Sequence, residues 1–235
     1  MLLHLQSPVQ ERTSSRHGSE MDETDDTVGI DGCKTGWIIA STRGVVVRAT
    51  LQLEGHTLVG IDMPIGLLDG PPRACDVAAR KYLERAGSSV FPAPPRAVLN
   101  YRDYREALAV SRAVTGRGIS KQTFNIVPKV AALDLLIDAS NQHSIIEVHP
   151  ECAFKTMNGD EKLLSKKTSE GRITRRRLLS NYFDVPSAAP SGAAIDDMLD
   201  AYAVLWSTQR FARGEHRTFG DGGRDARGIE MRIVC

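Results

Sequence analysis

The sequence has few of the features that mark metal-thiolate, redox and membrane proteins. Its four cysteines include no C-x-x-C pair, which excludes a zinc ribbon and a thioredoxin-like redox motif; they are Cys33, Cys75, Cys152 and Cys235. No stretch approaches the roughly 18 apolar residues of a membrane span, and residues 1–9 are too short and too polar for the core of a signal peptide. We therefore expect reduced thiols, a cytoplasmic location and no membrane partner.

The chain also has little net charge. The 235 residues contain 30 Lys+Arg and 29 Asp+Glu, so no global basic field indicates a nucleic-acid partner. The balance is uneven along the chain, because residues 1–27 contain two basic and six acidic residues and the remaining 208 therefore carry a net +5. Charge balance thus excludes strong non-specific steering and leaves room for a locally basic surface.

Residues 1–27 have the composition of a disordered acidic tail. They are rich in Ser, Thr, Asp and Glu and show almost no apolar periodicity, and Met21 is a second candidate start residue. The whole chain has an ordinary globular composition, with 41% hydrophobic and 25% charged residues. We expect one folded domain over residues 28–235.

The apolar pattern predicts an α/β fold. Apolar runs bounded by turn residues predict strands at 28–30, 37–40, 44–50, 58–61 and 144–148, with an edge strand at 228–234. Helical spacing of apolar residues predicts helices at 73–85, 104–114, 127–139, 171–182 and 194–213. This order predicts a mixed sheet flanked by helices, with a helical insertion at about residues 73–139 between the fourth and fifth strands.

Carboxylates follow three of the predicted strands directly. Asp31 ends the first strand, Asp62 the fourth and Glu147 the fifth, while Asp197 and Asp200 lie three residues apart on one face of the last helix. Reactive groups collect at strand ends and helix starts in open α/β sheets. Clustered carboxylates repel each other unless they bind cations or share protons, so these five predict a site for Mg²⁺ or Mn²⁺.

Each acid also has an ordinary structural interpretation. An Asp at a strand end or a helix start is commonly a turn former or an N-cap, and Asp196 fits an N-cap. The functional interpretation depends on the coincidence of three strand-end acids with the helical pair. Two divalent ions roughly 3.5 to 4 Å apart in such a site would activate a water and stabilise the leaving oxygen of a phosphodiester.

Candidate substrate and proton-transfer residues lie near these acids in sequence. His149 is a candidate to order the attacking water or to protonate the leaving group, and its alternative is a hydrogen-bonded structural histidine. Lys129 lies in the first turn of a predicted helix and is a candidate to donate a hydrogen bond to a substrate phosphate. The densest basic cluster contains Arg172, Arg175 and Arg176, which form either a phosphate-backbone surface or a solvated helix face.

Six separated motifs carry a resemblance to a known family. They are VGIDGCKTGW at 28–37, GIDMPIG at 60–66, RACDVAAR at 73–80, SVFPAPPR at 89–96, IEVHPECAF at 146–154 and DDMLDAYA at 196–203. Together, over about residues 28–234, they resemble domain-of-unknown-function family 429, whose members are predicted ribonuclease-H-like nucleases. The last motif also looks like the final helix of Holliday-junction resolvases, which share that fold.

The resemblance implies roles for individual acids. Asp31 would be the central metal ligand of the first strand, Asp62 or Glu147 the second acid, and Asp197 or Asp200 the acid on the helix. The implied activity is a Mg²⁺- or Mn²⁺-dependent nuclease of ribonuclease-H-like fold that uses a two-metal mechanism, with a nucleic acid, DNA or RNA, as partner. A second copy of the chain, in a homodimer, is another candidate partner.

Two other functions fit the same pattern. One is an ATP-dependent phosphotransferase of the actin and sugar-kinase type, which shares this fold but needs Gly-rich phosphate loops; the Gly32 to Gly36 turn is a faint version of one. The other is a non-catalytic binding module whose acids hold structure. Binding of Mg²⁺ or Mn²⁺ would separate the nuclease from the binding module.

Overall fold

The computed structural model describes residues 27–235. The predicted acidic tail, including Met21 as an alternative start, therefore lies outside the described residues except for its last position. Thr27 is the first residue of the first strand and is buried, so this strand begins one residue earlier than predicted.

A five-stranded mixed sheet forms the centre of the domain. The strands are β1 (Thr27–Cys33), β2 (Gly36–Ser41), β3 (Gly44–Arg48), β4 (Leu58–Ile61) and β5 (Ile145–Glu147). Their order across the sheet is β3-β2-β1-β4-β5, with β1, β4 and β5 parallel and β2 and β3 antiparallel to their neighbours. The predicted mixed sheet is confirmed, and strands β1 to β5 all lie at the predicted places.

Six α-helices accompany the sheet: α1 (Ala74–Leu83), α2 (Tyr104–Thr115), α3 (Lys121–Leu136), α4 (Pro150–Met157), α5 (Ser169–Leu179) and α6 (Ile195–Ala212). Helices α1 to α3 lie between β4 and β5, where the helical insertion is predicted. Short 3₁₀ turns at Glu84–Ser89 and Arg96–Val98 flank the Pro-rich segment. No helix within residues 27–235 has the length and apolar character needed to cross a bilayer.

One helix prediction was wrong at its start, and one helix of the structure was not predicted. Helix α3 begins at Lys121, six residues before the predicted start, because the Ser120 side chain caps it by accepting from the Thr123 amide at 3.0 Å. Pro128 consequently lies inside the helix rather than in its first turn. Helix α4 was missed, although Pro150 at its first position is a typical start signal.

The predicted edge strand at 228–234 is much shorter in the structure. Only its end forms a strand, β7 (Ile233–Val234), which pairs with β6 (Thr218–Phe219) in a separate two-stranded sheet. Val234 also makes an isolated parallel bridge to Val148, just after β5. The C-terminal segment therefore borders the main sheet without extending it as a full strand.

Helix α6 packs directly against β1 and β4. A Cβ on Gly29 would lie 2.2 Å from the Leu205 amide nitrogen, so glycine is needed for this close approach. Gly60 on β4 is similar, because a Cβ there would lie 2.0 Å from Thr208 Oγ1. This packing brings the first turns of α6 to the carboxyl ends of β1 and β4, where the candidate acids lie.

Candidate functional site

A cleft of about 470 Å³ opens beyond the carboxyl ends of the parallel strands. The parallel pairing of β1 with β4 ends at Ile30 and Ile61, so Asp31 and Asp62 follow on adjacent strands at the same edge. All five predicted acids line this cleft, as do His149 and Lys129; the acids are Asp31, Asp62, Glu147, Asp197 and Asp200. The structure thus brings acids from four distant segments, and Lys129 from a fifth, to one place.

Asp31 and Asp62 are held in an environment that disfavours their charges. Burial, and then the neighbouring carboxylates of Asp62 and Asp200, raise the pKa of Asp31 well above its usual value. Burial and Asp200 likewise raise the pKa of Asp62, while Lys166 opposes the shift. Asp31 Oδ1 accepts from the Gly32 amide at 2.6 Å. Close carboxylates with raised pKa values are the electrostatic signature of a cation or proton-sharing site.

Asp200 combines an ion pair with an unpartnered oxygen. Its Oδ2 accepts from Lys166 Nζ at 2.7 Å, and its side chain is buried. Within the described residues, the buried Oδ1 has no hydrogen-bond partner. Burial raises the pKa of Asp200 to about 6, against the opposing effect of Lys166. A buried acceptor without a partner indicates a position that a ligand, an ion or a water completes.

Asp197 has a structural task as well as a place in the cleft. Its Oδ2 accepts from the Ala194 amide at 2.8 Å, which closes the first turn of α6. The predicted N-cap role of Asp196 was wrong, since Ala194 is the N-cap and Asp197 is the acid that bonds to it. Of the helical pair, Asp200 is therefore the better candidate ligand.

Glu147 belongs to an ion cluster with Arg73 rather than to the group formed by Asp31, Asp62 and Asp200. Arg73 donates from Nη1 to Glu147 Oε2 and from Nη2 to Oε1, both at 2.7 Å, and the Ile65 amide donates to Oε2 at 2.7 Å. Arg73 also pairs with Asp76 at 2.5 Å. Burial raises the pKa of Glu147, and Arg73 counters it. Both carboxylate oxygens are occupied, so this arrangement does not fit the predicted ligand role.

His149 lies at the N-cap of α4 and lines the cleft. Its Nε2 lies 3.4 Å from the Ser89 carbonyl oxygen, and within the described residues its buried Nδ1 has no partner. Burial lowers the pKa of His149, which favours the neutral imidazole. A neutral imidazole fits the ordering of a water better than the protonation of a leaving group.

Lys129 reaches the cleft across Gly32. Its Nζ donates to the Cys33 carbonyl at 3.1 Å and lies 5.4 Å from the centroid of the Trp37 ring. A Cβ on Gly32 would lie 2.6 Å from Lys129 Cδ and Cε, so the glycine after Asp31 makes room for this side chain. The placement supports the predicted phosphate-binding role.

The arginines of the predicted basic surface mostly contact other residues of the protein. Arg175 is buried, donates to the carbonyls of Leu164 and Gly171, and pairs with Glu151 at 2.7 Å. Arg176 donates to the Pro186 carbonyl at 2.6 Å, and Arg172 lies 3.4 Å from the Lys166 carbonyl. None of the three lines the cleft. For Arg175 and Arg176 the contacts do not fit the predicted phosphate-backbone role.

The family described as Protein of unknown function (DUF429) matches residues 29–223. The chain belongs to this family. No curated protein and no solved structure matches it. The description of DUF429 names no activity, so the chemistry of the site depends on the residues themselves.

In this DUF429 chain, the donor set fits one hard cation better than two. Asp31, Asp62 and Asp200 offer carboxylate oxygens, the type that Mg²⁺ and Mn²⁺ prefer. Within residues 27–235, no three His, Cys, Asp or Glu side chains are grouped closely enough to form a complete metal site. The Asp200 Oδ1, which has no partner within residues 27–235, and the mutual repulsion of the acids are the two features of this cleft that a bound cation would satisfy.

Sequence reasoning missed two residues of the site. The ion pair of Arg73 with Glu147 spans 74 residues, and no local pattern in the sequence indicates it. Lys166 is not among the predicted site residues, yet its ammonium group pairs with Asp200. The three-residue spacing of Arg73 and Asp76 is the one local signal, because it is the spacing of an ion pair along a helix, and the structure contains that pair.

Replacing Lys166 by Met is expected to destabilise the protein more at pH 8 than at pH 5. Asp200, with a pKa of about 6, is mostly protonated at pH 5 and ionised at pH 8. Because the pKa of Asp200 is raised in the folded state, the free energy of unfolding is greatest below the ordinary Asp pKa and falls as the pH rises through 6. The positive charge of Lys166 reduces this fall. We expect the reduction to be about 1 kcal/mol, because the Lys166 side chain is partly exposed.

Urea unfolding in EDTA at the two pH values measures this difference. Lys167→Met is the matched control, because Lys167 is an exposed neighbour. An equal loss of stability at pH 5 and pH 8 would contradict the described pairing of Lys166 with Asp200.

Proposed function

We propose that this protein is a divalent-metal-dependent phosphodiester hydrolase with a ribonuclease-H-like fold that acts on nucleic acid. The observation that carries the proposal is the convergence of Asp31, Asp62 and Asp200 on one cleft, with a buried Asp200 oxygen that has no partner within the described residues. A three-stranded meander followed by parallel strands, with the acids at their carboxyl ends, supports the proposed fold.

The chain's own residues have distinct tasks in this proposal. Asp31, Asp62 and Asp200 would hold the Mg²⁺ or Mn²⁺ ion, which when bound activates a water and stabilises the leaving oxygen. Neutral His149 orients the attacking water, and Lys129 binds a phosphate oxygen. Water adds to phosphorus as the P–O ester bond breaks, which gives a phosphomonoester and an alcohol. Arg73 holds Glu147 and Asp76 in place, and all three line the cleft.

One cation replaces the two predicted from the sequence in this proposal. The two-metal version needs a further carboxylate, and both oxygens of Glu147 are occupied by Arg73 and the Ile65 amide. One carboxylate oxygen of Asp197 already accepts the hydrogen bond that caps α6. Glu147 therefore acts as a positioning residue, and Lys166 supplies the second positive charge beside Asp200.

Hydrolysis assays test this proposal directly. The wild-type chain, stripped of metal and then supplied with Mn²⁺ or Mg²⁺, is expected to cleave a fluorescently labelled single-stranded oligonucleotide, and EDTA is expected to abolish the cleavage. ATP in place of nucleic acid is expected to be left intact. Absence of cleavage with either ion over a panel of single-stranded, duplex and branched DNA and RNA would overturn the proposed activity.

A further inference from the structure

The helical insertion builds one wall of the acid cleft. Its Pro-rich segment contributes Ser89, Val90 and Phe91, and helix α3 contributes Asn125, Ile126 and Lys129. A cleft of about 470 Å³ has the size of a site for one small ligand, within the range of about 300–1,000 Å³ typical of such sites. The insertion thus limits the space next to the acids.

Phe91 is a partly exposed aromatic residue that lines this cleft. Its neighbour Val90 is 2% exposed, whereas Phe91 is 43% exposed. Leaving part of an apolar ring in water forgoes part of the gain from burying it, which is about 1.5–3 kcal/mol for full burial of a Phe side chain. A ring kept exposed beside reactive groups is suited to contact a ligand.

The segment that carries Phe91 is anchored on both sides. Arg80 donates to the Val90 carbonyl at 2.7 Å, and the Ala93 amide donates to Asp76 Oδ2 at 3.1 Å. His149 Nε2 lies 3.4 Å from the Ser89 carbonyl. The exposure of Phe91 therefore belongs to a fixed loop rather than to a loose one.

The same contacts connect Phe91 to the reactive groups. Asp76, which holds Ala93, is paired with Arg73, and Arg73 holds Glu147 at the end of β5. His149, which contacts the loop, is two residues beyond Glu147. These links hold the ring at a set position relative to the acid group, as base recognition requires.

The cleft that Phe91 lines also contains basic side chains that suit a phosphate. Lys34 and Lys129 line the cleft near Asp31, so two ammonium groups are available to a phosphate placed at the acids. An aromatic ring stacks on any nucleobase, and stacking contributes about 1–3 kcal/mol per base. In contrast, Arg175 and Arg176 are committed to internal contacts and offer no track for a long duplex.

We infer that the cleft is a subsite for one unstacked nucleotide, with the base on Phe91 and the phosphate at Lys34 and Lys129. This inference rests on the proposed function for its substrate class and narrows it to an unpaired nucleotide, such as one at a single-stranded end. A continuous duplex keeps its bases stacked and paired, so it cannot fill this subsite without fraying.

The binding of deoxyadenosine 5′-monophosphate measured against that of deoxyribose 5-phosphate tests the inference. Neither probe has a phosphodiester to cleave, and the two differ in the base alone. Stacking predicts that the nucleotide binds wild type at least roughly fivefold more tightly, from the lower end of the energy per base. Phe91→Tyr is expected to keep that ratio, and Phe91→Ala is expected to bring it near one.

Val46→Ala is the control, because Val46 is equally exposed at 43% but lies on β3 outside the cleft. A ratio unchanged in Phe91→Ala, or no saturable nucleotide binding to wild type at millimolar concentration, would overturn the inference. A Phe91-dependent ratio without any phosphodiester cleavage would support the subsite and overturn the proposed hydrolase. Cleavage of a phosphodiester, together with a binding ratio that does not depend on Phe91, would support the proposed hydrolase and overturn the nucleotide subsite.

Discussion

Asp31→Asn is expected to lose metal-dependent cleavage by roughly three to four orders of magnitude, the size of loss that follows removal of one essential catalytic group. The substitution keeps the shape of the side chain and the acceptor for the Gly32 amide. It removes the charge that the cation site needs. The rate of oligonucleotide cleavage in Mn²⁺ measures the effect.

The same substitution is expected to stabilise the fold above neutral pH. Burial and neighbouring acids raise the pKa of Asp31, so the ionised carboxylate is costly in the folded state. Below the ordinary Asp pKa both states are protonated and the wild type matches the variant. As the pH rises through the folded pKa, the variant gains the advantage, about 0.5–2 kcal/mol in the usual range for such substitutions.

Urea unfolding at pH 3 and pH 8 in EDTA checks this second effect. Asp196→Asn is the control for both measurements, because Asp196 lies in the first turn of the same helix as Asp200 without lining the cleft. Full cleavage activity in Asp31→Asn would contradict the proposed role of Asp31, and a loss of stability at pH 8 would contradict its electrostatic environment.

Arg73→Met is expected to lower the free energy of unfolding by about 3–5 kcal/mol, the usual cost of removing one partner of a buried ion pair. Both Arg73 and Asp76 are 2% exposed, and Glu147 is 6% exposed. Without the guanidinium, two buried carboxylates lose their counter-charge. The thermal unfolding midpoint at pH 8 is expected to fall by roughly 6–20 °C for a chain of this length.

Two comparisons separate charge from packing in this result. Arg43→Met replaces an exposed arginine and is expected to change stability by less than about 0.5 kcal/mol. The triple variant Arg73→Met, Asp76→Asn, Glu147→Gln removes the stranded charges and is expected to recover part of the loss. A loss below about 1 kcal/mol in Arg73→Met would show that the buried cluster does not hold the base of the site.

Local patterns in the sequence were sufficient to predict the strands of the main sheet and much of the candidate site. Apolar runs ending at Asp31 and Asp62 predicted two strands, and the structure places them side by side, where the parallel pairing of Ile30 with Ile61 brings the two acids together. Spacing along one helix predicted that Asp197 and Asp200 share a face, and both line the cleft. The helical insertion also follows from periodicity alone.

The remaining features depend on contacts between residues far apart in the chain. Glu147 has the same strand-end pattern as Asp62, but Arg73 neutralises it from 74 positions away. Arg175 looks like a surface charge in sequence, and its burial against Glu151 depends on how α5 packs on α4. Such pairings decide which charged residues are free to bind a ligand. Cytoplasmic location and a homodimer stay predictions.

A Mn²⁺ anomalous difference map from crystals of the full chain tests the central claim most directly. We predict one strong peak in the cleft within ligand distance of carboxylate oxygens from Asp31, Asp62 and Asp200, with Glu147 still bound to Arg73. Crystals of Asp31→Asn are expected to lose the peak. A cleft without a Mn²⁺ peak at saturating concentration, or a peak that Glu147 binds in place of Arg73, would contradict this account.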